Sequence, residues 1–105
     1  MIDEATIEKA AELLREAAPG ARVILFGSCA RGDATDGSDL DFLVVEPEVK
    51  ARRKETVRLR DVLRPLRISV DIIVASEKTF RYWVDTPNTV MCEAAREGRV
   101  FEPVT

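Results

Sequence analysis

Gly27-Ser28-Cys29-Ala30-Arg31-Gly32, with Ser38-Asp39-Leu40-Asp41 following after a polar loop, is the stretch of this 105-residue chain that decides its fold. The residues just before it, Arg22 to Phe26, read as a short apolar strand that Gly27 breaks. Gly32 and the loop Asp33 to Ser38 leave room for a single helical turn through Ala30 and Arg31. Asp39 to Val45 then reads as a second strand, closed by Glu46-Pro47. Residues two apart on a strand face the same side, so Asp39 and Asp41 project together while Leu40, Phe42 and Val44 face the core.

Working outward, Ile7, Ala10, Ala11, Leu13, Leu14, Ala17 and Ala18 recur at helical spacing, with Asp3 as a cap and Pro19-Gly20 as a stop. Lys50 to Arg64 predicts a long helix with an apolar stripe of Ala51, Leu59, Val62, Leu63 and Leu66, limited by Pro65. Ile68 to Ala75 is the third strand, and its near-continuous apolar content predicts burial on both faces. Ser76 caps a short helix through Trp83. Thr86-Pro87 reads as a cap followed by proline at the first position of a last helix, which runs to Gly98. Val100-Phe101-Glu102 is an edge strand. The order α-β-α-β-α-β-α-α with a short final strand describes one α/β domain, residues 1–105, with helices packed on a sheet.

Composition removes whole classes of chemistry. The chain has no histidine, which excludes Ser-His-Asp and Cys-His mechanisms and any imidazole base. Metal binding must then rest on oxygen ligands, which select magnesium, calcium or manganese. Cys29 and Cys92 fit no metal or redox spacing and read as reduced thiols. With 16 basic and 19 acidic residues, the net charge of -3 gives no global attraction to nucleic acid. No apolar run approaches the roughly 20 residues that span a bilayer, and the acidic start Met1-Ile2-Asp3-Glu4 is unlike a signal peptide. A cytoplasmic location is expected.

Asp71 stands alone within Ile68-Ser69-Val70-Asp71-Ile72-Ile73-Val74. If the third strand pairs with the second, Asp71 joins Asp39 and Asp41 in one cluster, since neighbouring strands lie about 4.8 Å apart. Three such carboxylates repel one another unless a cation offsets them, and two metals about 3.5–4 Å apart would do so. Gly27-Ser28 sits where a strand meets a helix start, so unpaired backbone N–H groups can face an anion and the Ser28 hydroxyl adds a donor. A phosphate cradle beside a carboxylate cluster points to phosphoryl or nucleotidyl transfer.

Gly27-Ser28, ten intervening residues, Asp39-Leu40-Asp41 and the later Asp71 make this chain resemble the DNA polymerase beta-like nucleotidyltransferases, most closely the minimal (MNT-type) members. Ala30-Arg31-Gly32, Ser38 and the final Glu97-Gly98-Arg99-Val100-Phe101-Glu102 also match; Cys29 departs from the arginine or aromatic frequent in relatives. The resemblance implies a mixed sheet flanked by helices and transfer of a nucleoside monophosphate, AMP from ATP, to a hydroxyl. Asp39 and Asp41 would hold two magnesium ions, with manganese as the alternative, and Asp71 the acceptor-side ion. Gly27, Ser28, Arg31 and Ser38 would bind the nucleotide. Minimal members pair with a small helical HEPN toxin, which implies an antitoxin that adenylylates a toxin tyrosine.

Other readings stand beside this one. An antitoxin could act by occlusion alone, or transfer could go to a small molecule. The acid-rich stretch Asp33 to Asp41 fails as an EF-hand on register. Asp71 could be an edge-strand charge that discourages aggregation, although its apolar flanks favour a ligand role. Lys50, Arg52, Arg53, Lys54, Arg58, Arg60, Arg64 and Arg67 read first as a solvated helix face, with an acidic protein partner or RNA as the alternatives. Tyr82 and Trp83 read as core or rim packing, and Cys92 as packing.

Overall fold

The computed structural model describes residues 2–35 and 37–103. Helix α1, Glu4–Ala17, begins where the Asp3 side chain accepts the Thr6 N–H, and its apolar stripe is buried at Ile7, Ala10, Ala11 and Leu14. Strand β1, Arg22–Phe26, leads through Gly27 into α2, the single turn Ser28–Arg31. Strand β2, Leu40–Glu46, is followed by α3, Arg52–Leu63, and a 3-10 turn, Arg64–Leu66, at the expected Pro65 boundary. Strand β3, Val70–Ser76, runs into α4, Glu77–Trp83, whose N–H at Thr79 is accepted by Ser76 Oγ. Helix α5, Val90–Glu97, and strand β4, Arg99–Phe101, complete the fold.

The sheet is mixed, in the order β3-β2-β1-β4. β1 is antiparallel to β2 and to β4, whereas β2 and β3 run parallel, joined through α3. Alternation along the strands fills both faces. Val23, Leu25, Leu40, Phe42, Val44, Ile72 and Val74 pack with residues of α1 and α3, including Leu14, Leu59 and Leu63. Ile24, Phe26, Leu43, Val45 and Ala75 pack on the other side with Phe80 of α4 and Ala94 of α5.

Four expectations need correction. β3 is an edge strand, and Val70 and Ile73 are only half-buried while Asp71 is exposed, so burial on both faces holds only at Val74 and Ala75. The last helix starts at Val90, not at Pro87: Asn88 adopts φ 68, and the Thr89 side chain caps by accepting the Cys92 N–H while donating to Thr86 O. A left-handed residue cannot continue a helix, so the Thr86-Pro87 signal serves a turn instead. Ala51 is an exposed flank of α3 and leaves the apolar stripe. Tyr82 and Trp83 are not core: they are 74% and 41% exposed and meet each other edge to face at 4.8 Å.

The basic α3 is largely solvated, as expected. Arg58 is the exception, since its guanidinium pairs with Glu55 and donates to Ala17 O at 2.9 Å, tying α3 to the end of α1. Among the described residues no helix is long and apolar enough to cross a membrane.

Candidate functional site

Because β1 is antiparallel to β2 and β2 parallel to β3, the end of β1 and the starts of β2 and β3 meet at one end of the sheet. Phe26 is the register partner of Asp41, and Asp41 is the register partner of Asp71. The two carboxylates therefore leave neighbouring strands at the same level. They share the face that carries Leu43 and Val45, covered further along by α4 and α5. Asp39 lies one residue before β2, with the adjacent Leu40 N–H donating to Ser69 O at 3.0 Å. Its carboxylate accepts a hydrogen bond from the Ser69 hydroxyl.

Gly27 is specified twice over. Its φ of 77° and ψ of −159° suit glycine alone. A Cβ there would also overlap Asp41 Oδ2 and stand 3.3 Å from Asp41 Cγ. The backbone of the phosphate-cradle candidate thus passes directly against the central carboxylate. Ser28 opens α2 and is partly exposed. Ser38 belongs to the loop, where its hydroxyl accepts the Thr35 N–H at 2.8 Å.

Electrostatics follow the geometry. Burial, and then the charges of Asp71, Asp39 and Glu93, hold the Asp41 carboxyl above its ordinary range, with Arg31 acting the other way. Burial and Asp41 likewise push the Cys29 thiol up, and its sulfur donates to Asp39 O at 3.4 Å. Cys29 is therefore a protonated neighbour, not a nucleophile. Arg31 is claimed by acids: Asp33 at 3.3 Å, Glu97 at 3.5 Å and Glu93 at 3.9 Å. Asp71 faces Arg60 of α3 at 3.8 Å.

Ser69, Arg60, Glu93 and Glu97 were not singled out as site residues from the sequence. Ser69 precedes Asp71 by two, the strand spacing that pointed from Asp41 to Asp39, and that signal was available. The α5 acids were not legible, because nothing local links Glu93 or Glu97 to Arg31.

The donor set fits a hard divalent cation in kind, with carboxylate oxygens and no softer ligand. Among the described residues, no three acidic or sulfur side chains stand gathered about one point. Asp39 turns to Ser69 and Asp71 to Arg60, so the cluster's charge is dispersed onto other partners. The register pairing of Asp41 with Asp71 on neighbouring strands is the observation that favours a cation, since a positive charge there would offset two like charges at one level of the sheet.

The nucleotidyltransferase domain family matches residues 7–97 of the chain. Among solved structures, the fold is similar to a chain of a toxin–antitoxin complex with AMP-PNP, at 23% identity and a TM-score of 0.65, covering 99% of this chain and 76% of that one. It is similar also to a chain of the tri-AMPylated HEPN toxin from Shewanella oneidensis in complex with MNT antitoxin, at 19% identity and a TM-score of 0.61, covering 98% and 74%. A third likeness is to the toxin–antitoxin MntA-HepT, at 20% identity and a TM-score of 0.61, covering 97% and 74%. At these identities the likeness is one of fold. No curated protein matches the sequence.

Proposed function

The chain belongs to the nucleotidyltransferase domain family, and on that premise we propose that it moves AMP from ATP to a tyrosine hydroxyl of a small helical HEPN-type toxin, as that toxin's cytoplasmic antitoxin. The observation that carries the reading is the register pairing of Asp41 with Asp71, with Gly27 packed against Asp41 at the same end of the sheet.

Asp39 and Asp41 would hold two magnesium ions, with manganese as the alternative, and Asp71 would share the acceptor-side ion. Magnesium bound there supplies charge neutralisation for the triphosphate and acidifies the acceptor hydroxyl. Gly27 and Ser28 present backbone N–H groups and one hydroxyl to the β- and γ-phosphates. Arg31, already held by Asp33, Glu93 and Glu97, supports the loop in preference to a phosphate. Asp71, its side chain 62% exposed, receives the proton of the acceptor hydroxyl as that oxygen attacks the α-phosphate and pyrophosphate leaves. Positioning and charge neutralisation supply the rate enhancement.

Calorimetry and transfer assays test the assignment together. ATP should bind with magnesium and not with EDTA, and equal heats in both would refute the metal-dependent site. Asp39→Asn and Asp41→Asn should lose ATP binding and transfer. Asp71→Asn should keep most ATP binding yet lose transfer by about a hundredfold or more, the scale of removing one general base or electrostatic group. Normal transfer by the Asp71 variant would make that residue structural. Labelled ATP should label a co-expressed toxin partner; labelling of small molecules instead would overturn the acceptor.

A further inference from the structure

Arg60, Arg64 and Arg67 line one groove of about 540 Å³, floored by the apolar Leu63, Ile68 and Val70. None of the described residues that line it is a carboxylate, although Asp71 pairs with Arg60 and Asp61 with Arg64. The groove opens on the candidate site at two points. Ser69 contributes to its wall while its hydroxyl holds Asp39, and Arg60 reaches 3.8 Å from Asp71 Oδ1. Arg64 pairs with its helix neighbour Asp61, and its side chain is 79% exposed. Arg67 closes the 3-10 turn in the left-handed region, φ 51°, which brings a third guanidinium to the same groove.

We propose that this groove is an acceptor subsite, which takes a carboxylate side chain of the acceptor protein next to the hydroxyl that is modified. The proposal rests on the preceding reading, that the acceptor is a protein. Guanidinium groups bind carboxylates in a bidentate fork, and since the acids that hold Arg60 and Arg64, Asp71 and Asp61, form exposed pairs that exchange readily, the three guanidiniums around one groove favour an anionic guest. A polynucleotide fits less well. Binding of single strands uses aromatic stacking platforms, whereas no aromatic side chain lines the groove, and the chain's net charge of -3 repels a long polyanion.

The subsite would be coupled to chemistry through Arg60. The Arg60–Asp71 pair is exposed on both sides, so it is weak and exchanges readily. An acceptor carboxylate that takes Arg60 leaves Asp71 free for the acceptor hydroxyl.

The test uses the full chain with magnesium and ATP, and two short tyrosine peptides, one flanked by aspartates and one by asparagines. Peptide binding is read by fluorescence anisotropy and AMP transfer by label. The acidic peptide should bind, and show a KM, about tenfold better, the scale of one charge-assisted hydrogen bond. Raised salt should erase the advantage. Arg64→Gln with Arg67→Gln should abolish the preference while ATP binding and transfer to the neutral peptide stay unchanged. Equal binding of the two peptides, or a preference that survives the double variant, overturns the subsite. So does a single-stranded RNA that displaces the acidic peptide and itself depends on Arg64 and Arg67. Selective acidic-peptide binding without transfer to either peptide would support the subsite and refute tyrosine as the acceptor; transfer without preference would do the reverse.

Discussion

Replacing Gly27 with alanine isolates the tightest constraint in the site. At φ 77° and ψ −159° a residue with a Cβ costs about 1–3 kcal/mol in backbone strain. The new methyl overlaps Asp41 Oδ2 and stands 3.3 Å from its Cγ, so the aspartate must leave its rotamer, at about 0.5–1.5 kcal/mol. The combined cost of about 1.5–4.5 kcal/mol is survivable for a domain stabilised by about 5–15 kcal/mol. At about 4–8 °C per kcal/mol, the melting temperature should fall by about 6–36 °C. Two measurements separate the parts. Circular dichroism melts of Gly27→Ala, Asp41→Ala and the double variant form a cycle in which the steric share vanishes without the Asp41 side chain and the backbone share persists. Magnesium-dependent ATP binding, measured well below the melt, should be lost in Gly27→Ala because Asp41 is displaced. A melt within a few degrees of the parent, or ATP binding retained, would refute both the glycine argument and the placement of Asp41 beside the phosphate cradle.

Away from the site, burial and then Glu55 push the Glu46 carboxyl up to about 7, whereas the Arg58 hydrogen bond holds Glu55 down at about 2. A raised folded-state value means that Glu46's contribution is fully present below its unfolded value of about 4.5 and is lost as pH rises through 7. Melting temperature should therefore decline from pH 5 to pH 8, and Glu46→Gln, which stays neutral and can donate to Glu55, should match the parent near pH 5 and exceed it at pH 8. Glu55 acts in the opposite sense and lower down, its contribution fading only as pH falls from about 4.5 toward 2. Gly98→Ala is a steric test at an ordinary φ of −78°, since its Cβ would overlap Ala94 O and Ile24 Cγ2; a loss of about 1–3 kcal/mol in denaturant melts is expected. Gly37→Ala, with no atom within 4 Å, should leave the same melt unchanged.

Where a boundary rests on a local cause, it was legible in the sequence. Asp3 caps α1 and Ser76 caps α4 because each side chain reaches an N–H three residues on, and β1 ends at Phe26 because only Gly27 can take the next backbone conformation. A local signal misleads where a later residue overrides it. Thr86-Pro87 looks like a helix start, but the left-handed Asn88 cannot continue a helix, and α5 begins after the Thr89 cap instead. The apolar run in β3 reads as doubly buried, yet the strand is an edge, because strand order is a property of the whole sheet and not of any one segment. Tyr82 and Trp83 take the rim and not the core for the same reason: their α4 packs through Phe80, and the pair is left outside.

The carboxylates show the same division. The two-residue spacing of Asp39 and Asp41, and the lone acid in an apolar run, predict that the three belong together, and the register pairing of Asp41 with Asp71 brings two of them level. What spacing cannot carry is each group's competing partner. Ser69 holds Asp39 and Arg60 faces Asp71, while Asp41 is pressed against Gly27. Those different neighbours give the three acids distinct parts before any ligand arrives, and at Asp41 burial, then Asp71, Asp39 and Glu93, raise the carboxyl. Asp41 is set by backbone geometry, whereas Asp39 and Asp71 each hold an exposed partner, so a cation at Asp41 would compete with a hydroxyl for the first and with an exposed guanidinium for the second.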